Sequence, residues 1–327
     1  MSSVKIAVIG TGWIAEKLAM TIHAMPGVET YAVASRDLSR AEAFAAKRNF
    51  ARAYGSYEEM LDDEQVQLVY IASPHSHHYE HAKACILKGK AVLCEKAFTA
   101  TAPQAEEVLR LAKERNVFIT EAIWTRYMPL SKKINEVLAS GIIGEPKMIT
   151  ANLCYPISHK ERIMRPELAG GALLDIGIYP INFASMIFGP DVKQVISTCR
   201  KTDTGMDAQE SITLLYDNDR MASLQSSIWV KSDRQGIISC TQGHLVVENC
   251  NNPQKLTVVD EDYQVIAEHA APHQISGYEY QIQACLEALE NGWIEHPDMP
   301  HAETLRIMRL MDSLRKEWGV RYPWDTW

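Results

Sequence analysis

The chain has 327 residues, 46% of them hydrophobic and 23% charged, with a formal net charge of −8. That size and balance exclude a disordered chain and a single small core, and they suit two domains. The negative charge argues against nucleic acid as a partner, and no uninterrupted apolar run of about eighteen residues marks a membrane span.

Met1-Ser2-Ser3-Val4-Lys5 enters a strand-like run directly, without the basic, apolar and small-residue segments of a secretory signal. The seven cysteines, Cys85, Cys94, Cys154, Cys199, Cys240, Cys250 and Cys285, are scattered, with no Cys-x-x-Cys pair. They read as small apolar residues of a reducing, cytoplasmic protein, and as neither a disulfide framework nor a zinc site.

Val4 to Ile9 predicts a first strand, and the stretch after Gly12 predicts a helix ending near Pro26-Gly27. Tyr31 to Ala34 predicts a second strand, followed by an Ala-rich helix from Ser39 to Arg48. Leu68 to Ala72, Ala91 to Cys94 and Val117 to Ile119 repeat the theme, with helices between. Short, nearly all-apolar strands joined by crossover helices specify a parallel sheet buried on both faces. After about residue 145 the texture changes. Ser211 to Leu214 and Ala222 to Ser226 alternate as half-buried strands do, with turn signals at Asp217 to Arg220 and Asn249 to Pro253. Helical patterns return from Tyr278 to Leu289, where Ile282, Leu286 and Leu289 form a core stripe, and from Glu303 to Trp318. The expected architecture is α/β: a doubly wound parallel sheet over residues 1–122, then an α+β domain with a large, mainly antiparallel sheet over 123–327.

Gly10-Thr11-Gly12-Trp13-Ile14-Ala15 follows the first strand and opens a helix. In the Gly-x-Gly-x-x-Ala pattern the first glycine permits the tight turn and the second lets the backbone approach a pyrophosphate. The small third residue packs helix on strand, and the helix N-terminus attracts the anion. Alone, the pattern also serves as a plain structural turn. Where an NAD enzyme places a ribose-binding carboxylate at the end of the second strand, this chain has Ser35-Arg36, with Arg40 one turn on. A hydroxyl and guanidinium groups suit the 2′-phosphate of NADP. The plainer alternative is that Ser35 and Asp37 cap the next helix.

With Gly10 to Ala15, Ser73-Pro74-His75-Ser76-His77-His78, Glu95-Lys96 and Gly170-Gly171-Ala172-Leu173-Leu174-Asp175-Ile176-Gly177 in this order, the chain resembles the Gfo/Idh/MocA oxidoreductase family over nearly its whole length. Glu121 to Pro129, and Pro166 to Ala169 running on to Tyr179, are similar to its dimeric dihydrodiol dehydrogenase branch, which is NADP-linked and acts on dihydrodiols and pyranose sugars. Two departures stand out: Glu95-Lys96-Ala97 replaces the family's Glu-Lys-Pro, and Tyr179 stands where many sugar dehydrogenases carry histidine.

The resemblance implies a Rossmann domain and a hydride-transfer enzyme. Lys96 and Tyr179 form the implied catalytic pair, with Asp175 in support. A tyrosine acts as base only as phenolate, which neighbouring positive charge favours. It further implies that Gly10, Thr11, Gly12, Trp13, Ile14, Ser35, Arg36, Arg40, Ala72, Ser73, Pro74, His75, His78, Glu95, Lys96, Trp124 and Arg126 hold the cofactor. Trp124, Arg162, Asp175, Tyr179 and Tyr280 would hold the substrate, with Arg162 and Tyr280 closing the pocket from the second domain. His75, His77 and His78 invite a metal reading, but no carboxylate or cysteine joins them at ligand spacing, so no metal is expected. The plain readings are an ordinary Glu95–Lys96 surface pair and a Tyr179 that is simply core. The leading expectation is an NADP-dependent dehydrogenase of a trans-dihydrodiol or aldopyranose such as xylose, forming a homodimer through the second sheet. An NAD-dependent inositol or amino-sugar dehydrogenase and a catalytically silent dinucleotide sensor stand as alternatives. The tail from Trp318 to Trp327, with three tryptophans and a tyrosine, is expected to pack onto the fold.

Overall fold

The computed structural model describes residues 3–326, so Trp327 of the tail lies outside the described residues. Two compact units result. One comprises the chain up to Ala122 together with Gln274–Met308, and the other Ile123–His273 together with the chain from Arg309.

In the first unit, β1 (Val4–Ile9), β2 (Val28–Ala34), β3 (Arg52–Tyr54), β4 (Leu68–Ile71), β5 (Ala91–Glu95) and β6 (Ile119–Ala122) form one sheet in the order β3-β2-β1-β4-β5-β6. Every pairing in it is parallel. The crossovers carry α1 (Trp13–Ala24), α2 (Leu38–Arg48), α3 (Tyr57–Asp62), α4 (His75–Leu87) and α5 (Ala102–Arg115). Strands β1, β4 and β5 are buried almost throughout, which is why they read as continuous apolar runs. Strand β3 escaped the sequence reading because it is three residues long and partly exposed at the sheet edge. The strand order reverses between β1 and β4, which places a topological switch point at the carboxyl ends of those two strands.

The expected second-domain span of 123–327 is corrected here, because 274–308 belongs to the first unit. The physical reason lies in α9 (Glu279–Asn291), which follows α6 (Pro129–Ala139), α7 (Glu161–Met164) and α8 (Ile178–Phe188) in the chain. Its fully buried Ile282, Cys285 and Ala288 join the core formed by Ile6, Val8, Leu18 and Ile22. Helix α10 (His301–Trp318) begins within that returning segment, and His301 Nε2 meets Ile119 O at 2.9 Å.

The second unit is built on an eight-stranded sheet. Its strands are β7 (Pro146–Cys154), β8 (Val192–Lys201), β9 (Asp207–Tyr216), β10 (Met221–Ser227), β11 (Gly236–Cys240), β12 (Gly243–Val247), β13 (Lys255–Asp260) and β14 (Val265–Ala270). They lie in the order β14-β13-β12-β11-β7-β10-β9-β8, antiparallel except where β10 runs parallel to β7. Ile149, Ile212, Leu214, Leu224 and Ile238 are buried on one face, over which α8 packs on β7 and β10. The segment Pro166–Phe188 is long and apolar enough to cross a membrane by length and composition alone. Of its most apolar window, 89% is buried, as in the core helix of a folded domain.

The described part of the tail packs within this unit. Trp318 Nε1 donates to Ser197 Oγ (2.9 Å) and Tyr322 Oη donates to Gly170 O (3.0 Å). The fully buried Arg315 binds Asp312 (2.8 Å) and Asp325 (2.9 Å).

Candidate active site

The expected site residues divide between the two units. In the first, they gather at the carboxyl ends of β1, β2, β4 and β5. Gly10 has φ +104°, and a Cβ there would lie 3.0 Å from Ala72 O, so only glycine lets the turn pass so close to β4. Around Gly12 the chain itself leaves open space where a side chain would project. Helix α1 starts there with no side-chain cap, so its first N–H groups point into that space. Thr11 and Ile14 are half-buried, Trp13 is exposed, and Ala15 is fully buried against the sheet. An open glycine at an uncapped helix N-terminus fits an approaching pyrophosphate.

At the end of β2, Ser35 is buried while Arg36 and Arg40 are exposed. Asp37 Oδ1 caps α2, accepting from Ser39 N (2.9 Å), Ser39 Oγ (2.7 Å) and Arg40 N (3.4 Å). The Ser39 hydroxyl, foremost, lowers the Asp37 pKa. The capping reading therefore holds for Asp37, while both guanidinium groups stay at the surface.

After β4, Ala72 N donates to Ile9 O (2.9 Å), and Ser73 and Pro74 lead into α4. His75 is buried, its ring set edge-on to that of His78 with centroids 5.7 Å apart. His78 was expected to line the cofactor, but it is fully buried between two loops. Its Nδ1 is 2.8 Å from Ala97 O and its Nε2 is 2.8 Å from Ser73 O. Burial pushes its pKa down to about 4, so the ring is neutral and its one N–H donates to one of the two carbonyls. In this structure His78 fastens the Ser73 loop to the Lys96 loop and shapes the site from beneath. His81 meets Ser73 Oγ at 2.9 Å, and His77 meets Ser76 Oγ at 2.8 Å. Among the described residues, no group of three or more His, Cys, Asp or Glu side chains is placed to hold a metal ion.

The Lys96–Ala97 peptide is cis. Lys96 is half-buried, while Glu95 is buried and accepts a hydrogen bond from Tyr70 Oη. The surface-pair reading of Glu95 thus gives way to a core contact. Beside it, buried Glu121 of β6 accepts from Phe98 N (2.9 Å), and Cys94 Sγ meets Phe98 O at 3.4 Å. Tyr70 and Glu121 therefore hold the Lys96 loop from behind. No sequence pattern gave them that task, because it depends on neighbouring strands set in register.

Tyr280 belongs to the first unit, on α9, so the expectation that it closes a pocket from the second domain is corrected. It is half-buried, and burial, followed by the charge of Glu279, raises its pKa.

In the second unit, Leu173–Gly177 is wound as a π-helical turn that runs into α8. Such turns are rare and concentrate at functional sites. Asp175 sits on the turn and Tyr179 two residues beyond it; both are buried. Arg162 grips Asp175 with both arms, Nη1 to Oδ1 at 2.8 Å and Nη2 to Oδ2 at 3.2 Å. The side chain expected to touch substrate thus also holds the carboxylate. Trp124 is buried in a 3₁₀ turn, Trp124–Tyr127. Arg126, on the same turn, donates to Asn182 Oδ1 (2.7 Å) and Ser185 Oγ (3.3 Å), which places it on the polar side of α8.

Comparison with known proteins decides the kinship. Residues 4–122 match the oxidoreductase family with an NAD-binding Rossmann fold, and residues 131–246 match the GFO/IDH/MocA C-terminal domain. The human trans-1,2-dihydrobenzene-1,2-diol dehydrogenase is 34% identical over 97% of this chain and 98% of its own length. The mouse protein of that name is 35% identical over the same shares. The chain belongs to the Gfo/Idh/MocA oxidoreductase family. It is therefore an NAD(P)-dependent enzyme acting on CH–OH groups by hydride transfer. KijD10, a 3-ketoreductase from Actinomadura kijaniata solved with NADP and TDP-benzene, superposes with a TM-score of 0.88 at 26% identity over 98% of this chain and 99% of its own. An aldose-aldose oxidoreductase from Caulobacter crescentus shares the fold, with a TM-score of 0.88 at 18% identity over 97% and 98% of the two chains.

Proposed function

We propose that this enzyme uses NADP(H) in preference to NAD(H) to interconvert a hydroxyl and a carbonyl on a small cyclic polyol, a trans-dihydrodiol or an aldopyranose such as xylose. The observation that carries the cofactor choice is the end of β2. Asp37 Oδ1 is occupied by the α2 cap, while the exposed Arg36 and Arg40 guanidinium groups remain to meet a 2′-phosphate. The kinship with dihydrodiol dehydrogenases and with an NADP-bound ketoreductase supports both cofactor and substrate class.

When bound, the nicotinamide supplies the hydride acceptor or donor. Gly10 to Ile14, Ser35, Arg36, Arg40 and the loops after β4 and β5 would hold the dinucleotide. The protein has to manage a proton and a developing oxyanion. The Tyr179 phenolate takes the proton of the substrate alcohol, and the resulting phenol returns it in reduction. The Lys96 ammonium polarises the same oxygen. Asp175, anchored by Arg162, fixes the turn that presents Tyr179. Trp124 offers a ring face to a sugar or diol.

The open face of the eight-stranded sheet supports a homodimer. Opposite the buried Ile212, Leu214 and Leu224, it shows Ile196 (52% exposed), Met148 (39%) and the half-buried Leu215, Met221 and Ile237. A second copy of that face would cover this apolar surface. The seven free thiols suit a reducing, cytoplasmic setting.

The deciding experiment follows reduced-nicotinamide absorbance with purified protein, NADP or NAD, and a panel of trans-diols and aldopyranoses. Turnover with NADP and at least tenfold less with NAD is expected. Equal turnover with NAD would overturn the reading of the β2 end. NADPH binding with no absorbance change on any diol or sugar would favour the silent sensor.

A further inference from the structure

Strand β9 carries two acidic residues that the reaction does not use. A regular strand sends residues three apart to opposite faces. Asp207 and Glu210 nonetheless both point into the core, 0% and 3% exposed. The pairing with β8 explains this. Lys201 stands opposite Asp207 and Arg200 opposite Gln209, so Ala208 is an extra, bulged residue that turns Asp207 to the side of Glu210.

Both carboxyls lie against the glycine segment that leads to Tyr179. Asp207 Oδ2 accepts the Leu173 N–H at 2.5 Å. A Cβ on Gly171 would collide with Asp207 Oδ1, and a Cβ on Gly177 with Glu210 Oε1. Glu210 Oε1 also accepts from Ser226 Oγ. The two remaining oxygens, Asp207 Oδ1 and Glu210 Oε2, are buried and receive no N–H or O–H from any described residue. Arg315, the cation that bears on Asp207, is already bound to Asp312 and Asp325, and Tyr322 Oη is given to Gly170 O. Two buried acceptors with no donor are costly, and one proton shared between them removes the cost.

We propose that Asp207 and Glu210, turned to one face by the β9 bulge, form a buried carboxyl pair bridged by a single proton that positions the Gly171–Tyr179 segment for catalysis. Burial, and then the charge of Asp207, raise the Glu210 pKa well above the usual carboxylate range, which agrees with Glu210 carrying the proton. These are positioning residues, and their role rests on the catalytic reading of Asp175 and Tyr179 above.

The test combines infrared spectroscopy with kinetics on the full-length protein, using trans-1,2-dihydrobenzene-1,2-diol and NADP. Wild type at neutral pH is expected to show a protonated-carboxyl stretch, sensitive to deuterium, that Glu210→Gln lacks. Glu210→Gln keeps a donor for Asp207 and an acceptor for Ser226, so its kcat is expected within about twofold of wild type. Glu210→Ala should lose at least tenfold in kcat with little change in NADPH affinity. Absence of the band, or a Glu210→Ala variant with full kcat, would overturn the proposal. Should Glu210→Ala fail to fold, the band and the Glu210→Gln rescue still decide. A Tyr179→Phe variant with full turnover would instead defeat the catalytic reading, and it is told apart because that substitution leaves the carboxyl band in place.

Discussion

Two glycine segments face opposite demands in this molecule. At Gly12 the chain leaves open space and an uncapped helix start, and nothing in its own packing requires a glycine. At Gly171 and Gly177 the missing side chains make room for buried carboxyls from β9. Similar-looking motifs thus record different constraints, one that the chain's own packing does not impose and one set by the chain itself. A substitution at the first should cost binding, and at the second, folding.

The largest expected effect is at the second segment. Gly177→Ala pushes a methyl into the buried Glu210 carboxyl and should cost about 3 kcal/mol, read from denaturant unfolding. Gly12→Ala should stay within about 1 kcal/mol of wild type in the same assay while weakening NADPH binding at least tenfold. Equal unfolding midpoints for the two variants would erase the contrast. Next comes Arg162→Met, which takes the two-armed cation from a buried carboxylate and should destabilise the protein by about 2–4 kcal/mol. Arg36→Ser probes the ligand side alone. It should lower NADPH affinity by about 1.5–3 kcal/mol, roughly 10- to 150-fold, and leave NADH affinity unchanged by calorimetry.

Near neutral pH the smallest effect is a pH response, which grows in acid and differs between the two segments' surroundings. His78 has its pKa lowered from 6.5 to about 4 and His81 to about 3, in both cases by burial first. The unfolded chain binds those protons and the folded chain does not, so stability falls as pH drops below about 6.5. The slope is about 1.4 kcal/mol per pH unit for each histidine, and the His78 contribution levels off near pH 4. Glu210 has the opposite sign. Its folded pKa is raised, so its contribution is full below the ordinary carboxylate pKa and is lost as pH rises toward the folded value. Glu210→Gln should remove a loss of stability that sets in above about pH 4.5 and continues toward the alkaline side, and leave the region below that pH alone. A parallel shift of both limbs would contradict that division.

The elements legible in the sequence were those whose signal is local. Strand β1 and helix α2 carry their own periodicity, and the turn at Gly10 to Ala15 states its purpose in six residues. Lys96, Asp175 and Tyr179 could be singled out because each sits in a recognisable motif. Tyr70, Glu121, Asp207 and Glu210 could not. Their partners lie on other strands, and the use of Asp207 depends on one bulged residue, Ala208, that no period-2 pattern announces. Arg162 and His78 were found, and the structure adds what the sequence did not show, the grip of Arg162 on Asp175 and the place of His78 between two backbone carbonyls. Tyr280 was placed in the wrong unit because the return of α9 to the first core is a matter of packing.

By itself, then, the sequence determined the alternation of strand and helix, the glycine turn, the basic end of β2 and the kinship these imply. Each follows from backbone preference and side-chain chemistry within a short stretch. Only the tertiary structure decided which carboxylates are buried, which cations hold them and which glycines are packed. Those outcomes depend on register between strands distant in the chain and on the cost of leaving a buried polar atom unpaired.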